Sequence, residues 1–183
     1  MAEFLKNARN NYKKLIVALA AVLAIYLLFT GVRVIVVILA MIVIGAGSTF
    51  YQIFFRSPIN FELIKFVTIL CSVVFGPVPA IIVGIISNFI GKMMTGKLEA
   101  DFIASIIALV AISILASAFK GVDIVLLGII LVVVYHLIIF PIVLSLGGNI
   151  GYGVIYSGSN IIFNIATFNL LARPVLWILQ NAV

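Results

Sequence analysis

Apolar residues run along this chain in long continuous blocks, with most polar residues falling between them. The first block, Leu15 to Thr30, follows a polar start, MAEFLKNARNNYKK, and reads as a helix. Its bulky stretch Leu23 to Phe29 lacks a small-residue cleavage site, so the helix is expected to be retained, not removed as a signal peptide. Gly31-Val32-Arg33 is expected to interrupt the run, and Val34 to Gly47 to resume it. Ser48 to Asn60, with Tyr51, Gln52, Arg56 and Pro58, reads as a helix end and a loop. Phe61 to Phe75 is the third apolar element. The two prolines of Gly76-Pro77-Val78-Pro79 are expected to break the chain before the fourth, Ala80 to Met94.

Thr95 to Asp101 is the most polar interior loop, and Phe102 to Phe119 the fifth span, ended by Lys120-Gly121. Asp123 suits the N-cap of a sixth span that runs to Leu146. Gly147-Gly148-Asn149 turns the chain into a long, polar last element, Gly151 to Asn181, which Pro174 is expected to bend or divide. These blocks approach the roughly 20 residues of a membrane-spanning helix. They do not alternate with the period of two that a membrane barrel needs. The pattern predicts an all-α fold, a polytopic membrane helix bundle of seven helices, or six if the first two elements are counted differently. Residues 1–183 then form a single transmembrane domain with a basic tail over residues 1–14.

Composition narrows the class. The 183 residues are 66% hydrophobic and 9% charged, against roughly half apolar and a quarter charged in soluble domains. That excludes an ordinary cytosolic enzyme, a secreted disulfide scaffold and a disordered chain. Six or seven spans leave no room for a separate ATPase domain, so energy is expected from an ion gradient, a partner subunit or the substrate. One cysteine, Cys71, and one histidine, His136, allow no internal disulfide, CxxC site or multi-histidine metal site. No Walker, G-x-S-x-G, H-E-x-x-H or Asp-rich motif is present. Neither enzymatic activity nor a cofactor is expected.

The net charge of +6 is dispersed, which reads as topology control and not as nucleic-acid binding. With seven spans and the N-terminus inside, Lys6, Arg9, Lys13, Lys14, Arg56, Lys92 and Lys97 fall inside. Arg33, Lys120 and Arg173 then fall outside, which favours N-in and C-out. A multi-pass protein of a prokaryotic plasma membrane is the expected setting.

Polar residues within the spans mark candidate chemistry. Tyr152, Tyr156, Asn160 and Asn164 recur every four residues and share one helix face, extended by Thr167. Polar groups in lipid need partners. The stripe therefore lines a substrate site, with amides to orient and rings to stack, or it hydrogen-bonds a neighbouring helix. Ala80, Gly84, Asn88 and Lys92 form a related stripe, in which Lys92 either pairs with an anionic substrate group or snorkels to a headgroup, the latter being expected. Tyr135 and His136 lie mid-span, as ligand contacts or as a neutral histidine bonded to another helix. None of Glu3, Glu62, Glu99, Asp101 and Asp123 falls clearly mid-membrane, which argues against a proton-coupled pump. Glu62 and Lys65, with Arg56 and Asn60, read as a solvated helix start. Arg173, near Trp177, reads as an interfacial anchor. Ala20 and Ala24 form a small-xxx-small pair suited to a partner helix.

The stretch FELIKFVTILCSVVFGPVPAIIVGIISNFIGKMMTGK, Phe61 to Lys97, resembles the second and third helices of the S components of energy-coupling factor (ECF) transporters. Phe75-Gly76-Pro77 and Gly84 carry the likeness, and the polar last helix with Asn160 and Asn164 fits it. The resemblance implies a six-helix core that captures a vitamin or similar micronutrient and works with a transmembrane T component and two ATPase subunits. Ala20 and Ala24 would face the T component. Tyr152, Tyr156, Asn160 and Asn164 would line the pocket, with Tyr135, His136 and Asn88 as second choices. From a different class, a structural or assembly subunit of a membrane complex would use the same stripe as interhelical glue.

Overall fold

The computed structural model describes residues 31–55, 59–96 and 101–182. The chain divides into two compact units, residues 1–36 and residues 37–182. In the first, the described residues 31–36 are helical. The expected helix Leu15 to Thr30, with Ala20 and Ala24, lies outside the described residues.

Six α-helices, and no strand, are found among the described residues. They are α1 (residues 31–47), α2 (Ile64–Phe75), α3 (Pro77–Thr95), α4 (Asp101–Ala118), α5 (Ile124–Ser145) and α6 (Ile150–Asn181). A 3-10 turn, Phe50–Ile53, follows α1. Five segments are long and apolar enough to cross a membrane, Gly31–Ile53, α3, α4, α5 and α6. The protein is an all-α membrane helix bundle.

Gly31-Val32-Arg33 is helical and continuous with Val34 to Gly47. A glycine costs a helix only about 1 kcal/mol relative to alanine, too little to stop one in an apolar run. The break before α3 is also narrower than expected. Gly76 alone makes it, at φ +88, where a side chain would be strained. Pro77 and Pro79 sit in the first turn of α3, where backbone N–H groups have no intrahelical acceptor to lose. The prolines therefore start the helix. Pro174 does not divide α6, which runs unbroken for 32 residues.

The shortest helix, α2, is at the centre. Every residue from Ile64 to Ser72 is buried, Lys65, Thr68 and Ser72 included. It packs against α3, α4, α5 and α6. Small residues allow the close approaches: a Cβ on Gly84 of α3 would meet Thr68 Oγ1 at 2.8 Å. From residue 37 onward α1 adds Met41, Ile42 and Ala46 to the core. Large apolar side chains such as Val43, Leu137, Ile162 and Leu170 point outward and form the lipid-facing surface.

Asp123 caps α5 by accepting hydrogen bonds from the backbone N–H groups of Val125 (3.0 Å) and Leu126 (3.2 Å). It also receives Arg173 of α6 at 3.1 Å, so Arg173 ties two helices together at an exposed end. The Leu126 N–H, and next the Arg173 guanidinium, hold the Asp123 carboxyl below its ordinary range. A carboxyl depressed in the folded state stabilises above its unfolded-state pKa and ceases to do so as pH falls through the folded-state value. Asp123→Ala should therefore lower the unfolding temperature at neutral pH, with a difference from wild type that closes at strongly acidic pH.

Phe168 of α6 is fully buried, edge-on to Phe66 at 5.0 Å between ring centroids. A Cβ on Gly128 of α5 would lie 2.1 Å from the Phe168 ring. Gly128→Ala should destabilise by about 1–3 kcal/mol, the usual cost of overpacking. Gly158→Ala, where nothing lies within 4 Å, should be neutral or stabilising. Thermal unfolding of the two variants in detergent checks the contrast.

Candidate ligand-binding cavity

With 12 residues, α2 is about 18 Å long, well short of the roughly 30 Å hydrocarbon core. The chain reaches it through residues 59–63, which are not helical. Asn60 and Glu62 in this segment are nevertheless buried. Non-helical backbone inside a membrane bundle must find partners in protein or line a cavity. Here both happen.

Neighbouring side chains satisfy the segment from two sides. From the end of α1, Ser48 Oγ accepts the Leu63 N–H at 2.8 Å. Tyr51 Oη accepts the Phe61 N–H at 2.7 Å and donates to the Ile59 carbonyl at 3.0 Å. Gln52 Nε2 donates to Asn60 Oδ1 at 2.8 Å. From α6, Ser159 Oγ accepts the Asn60 N–H at 3.0 Å. Asn160 and Asn164 add longer contacts to the carbonyls of Asn60 (3.4 Å) and Glu62 (3.5 Å).

Immediately behind the segment lies a buried ionic layer. Lys65 Nζ pairs with the Glu62 carboxylate and sits 4.3 Å from the centre of the Tyr135 ring. Lys65 is 0% exposed and Glu62 7%. The expected solvated helix start is therefore wrong for this pair. Glu62 and Lys65 do stand at the edge of an apolar run, but the surrounding helices continue past that edge and enclose them. Arg56 lies outside the described residues. His136 Nε2 meets Asn160 Oδ1 at 3.0 Å. With an amide oxygen as acceptor, the imidazole proton belongs on Nε2. Asn164 Nδ2 donates to Asn160 Oδ1 at 3.0 Å and to the Asn160 carbonyl at 2.9 Å.

In front of the segment is a cavity of about 400 Å³. It lies at the end of the bundle where α1, α3 and α5 finish and α2, α4 and α6 begin. Its wall includes Thr49 and Gln52, Asn60 and Glu62, Asn88 and Lys92 of α3, Asp101 of α4, Phe140 of α5, and Tyr152 and Tyr156 of α6. The Tyr152 and Tyr156 rings are nearly parallel, 6.4 Å between centroids at 16°. The Tyr156 and His136 rings form a T-shaped pair, 6.2 Å between centroids. Gly91 and Gly153 also line the wall. A Cβ there would meet Thr49 Oγ1 at 2.8 Å and the Phe140 ring at 2.9 Å respectively.

The polar stripe of α6 thus divides along its length. Tyr152 and Tyr156 line the cavity, as does Asn88. Asn160, Asn164, Tyr135 and His136 lie behind it, each buried, the first two and His136 bonded to protein. Lys92 is not a headgroup anchor. It pairs with Asp101 Oδ2 at 2.5 Å in the cavity wall, because α4 begins beside the last turns of α3. Asp101 is a wall residue that the spacing of the sequence did not single out, and Glu62, read there only as part of a helix start, is another. The i,i+4 relation of Asn88 and Lys92 was the available signal for that side of the site.

Three buried polar atoms of wall residues lack a hydrogen-bond partner: Asn60 Nδ2, Asn88 Nδ2 and Asp101 Oδ1. Among the described residues no cluster of three or more His, Cys, Asp or Glu could hold a metal ion. The site offers hydrogen bonds, two ion pairs and aromatic surface. No family model, no curated protein and no solved structure matches the chain.

Removing one member of a buried ion pair strands the other charge and costs more than replacing both. Lys65→Met should therefore destabilise by about 3–5 kcal/mol. The double variant Lys65→Met with Glu62→Gln should recover part of that loss. Chemical unfolding of the single and double variants measures the difference.

Proposed function

We propose that the chain captures a small solute in this cavity, as the substrate-capture subunit of an ECF-type importer, and performs no covalent chemistry itself. The observation that carries the reading is the cavity of about 400 Å³ with three unpartnered buried polar atoms in its wall. Its size falls in the range of about 300–1,000 Å³ typical of small-molecule sites. A wall of tyrosine and phenylalanine rings with a few convergent polar groups is the composition such sites use. The solute would be a vitamin or similar micronutrient. A T component and two ATPase subunits would supply the energy, with Ala20 and Ala24 facing the T component, and the small bundle would reorient to release its cargo across a prokaryotic plasma membrane.

Capture from outside requires the cavity end to face outward. With seven spans and the N-terminus inside, that end would face the cytoplasm. Counting the first two apolar runs as one element reverses it. Lys6, Arg9, Lys13, Lys14, Lys120 and Arg173 then fall inside, against Arg56, Lys92 and Lys97 outside, six against three.

A second reading, a structural or assembly subunit, draws on Asn160 and Asn164, which are fully buried and bond within the protein. A thermal-shift screen of the purified chain against vitamins and nucleobase-like compounds separates the two. A ligand at about 100 times its Kd stabilises by about 2.7 kcal/mol. The capture reading predicts at least one hit, weakened roughly tenfold by Tyr156→Ala in a variant that still folds. A flat panel from a folded sample contradicts it and favours the structural subunit.

A further inference from the structure

The charges around the cavity occur in matched pairs. Glu62 is held by Lys65, and Asp101 by Lys92. Among the described residues of the wall their sum is zero, and each of these charges already has a partner. An anion or cation entering the site would have to break a pair or remain unpaired in a partly dehydrated cavity, and both are costly. Besides Asn60 Nδ2, what the described wall leaves open is one amide donor, Asn88 Nδ2, and one carboxylate oxygen, Asp101 Oδ1, whose sister oxygen Lys92 already occupies. Asn88 is 95% buried, at 5% exposure, and lines the cavity.

These two atoms are held on the same side of the site. Asn88 and Lys92 lie one turn apart on one face of α3. The bond of 2.5 Å from Lys92 Nζ to Asp101 Oδ2 draws Asp101 against that face. A ligand group that satisfies both must accept a hydrogen bond from Asn88 and donate one to Asp101. An amide does this with its carbonyl and its N–H. The rings of Tyr152, Tyr156 and Phe140 supply apolar surface for the remainder of such a molecule.

Resting on the capture reading, we infer that the cavity selects a net-neutral solute that presents an amide-type edge, C=O beside N–H, to Asn88 and Asp101. Solutes carrying a net charge of either sign are discriminated against because the wall already neutralises its own charges. Lys92 acts as a positioning residue: it fixes Asp101 and leaves Oδ1 for the ligand.

Three probes of nearly one shape separate the cases: benzamide, benzoate and benzamidinium. Ligand-observed NMR titrations of the full chain in detergent should show benzamide binding at least about tenfold more tightly than either ion, the loss expected for one unmade buried hydrogen bond. Asn88→Ala should weaken benzamide by about tenfold without improving benzamidinium. Asn88→Asp, which adds one negative charge to a balanced wall, should shift the preference to benzamidinium. Both variants are checked for an intact unfolding transition. Benzoate or benzamidinium binding as tightly as benzamide to the wild type overturns the inference and leaves the capture reading standing. Silence of all three probes in a folded sample that gives a hit in the vitamin screen also overturns it. Silence in both experiments removes the capture reading itself.

Discussion

Five residues of non-helical backbone, 59–63, have to be accommodated inside a membrane bundle, and much of the molecule is organised around that requirement. In water such a segment would cost little. Inside a bundle each unpaired N–H or C=O costs several kcal/mol, so the sequence supplies a partner for nearly every one. Ser48 and Tyr51 serve from the end of α1, and Ser159 from α6. These residues would be unremarkable in a soluble protein. Here they allow a helix of only 12 residues to sit at the centre of the fold.

The same constraint creates the site. Because the segment is not helical, it does not fill the end of the bundle, and the cavity occupies the space in front of it. Glu62 is buried with Asn60 in the segment, and Lys65 behind it, so the two charges must neutralise each other. The Tyr135 ring, His136 and the two asparagines of α6 then form the polar layer that this burial demands. Site and scaffold share one hydrogen-bonded network, with the cavity wall on one side and structural bonds on the other.

Local signals in the chain were sufficient for local features. Asp123 at the start of α5, the turn at Gly147-Gly148-Asn149 and the helical face shared by Tyr152, Tyr156, Asn160 and Asn164 all follow from residue type and spacing. Two breaks were overestimated, at Gly31 to Arg33 and at the prolines after Gly76, because a glycine or a first-turn proline is a small helix penalty. What spacing does not carry is depth. Lys65 and Lys92 each lie near the edge of an apolar run, where solvent or headgroups are the default environment. Only the lengths of neighbouring helices show that one is enclosed and the other reaches Asp101 across a loop. The pairing of Glu62 with Lys65 was legible at i,i+3; its burial was not.

The central claim is that one stripe on α6 serves two purposes, Tyr152 and Tyr156 facing the cavity and Asn160 and Asn164 holding the bundle behind it. Cysteine accessibility tests it most directly, in a background where the buried Cys71 is replaced by alanine. Single variants Tyr152→Cys, Tyr156→Cys, Asn160→Cys and Asn164→Cys are exposed to a small water-borne thiol reagent in membranes. The account predicts labelling at 152 and 156 and none at 160 and 164 in variants that remain folded. Labelling at 160 or 164 at the rate seen for 152 would place water or ligand along the whole stripe and contradict the division.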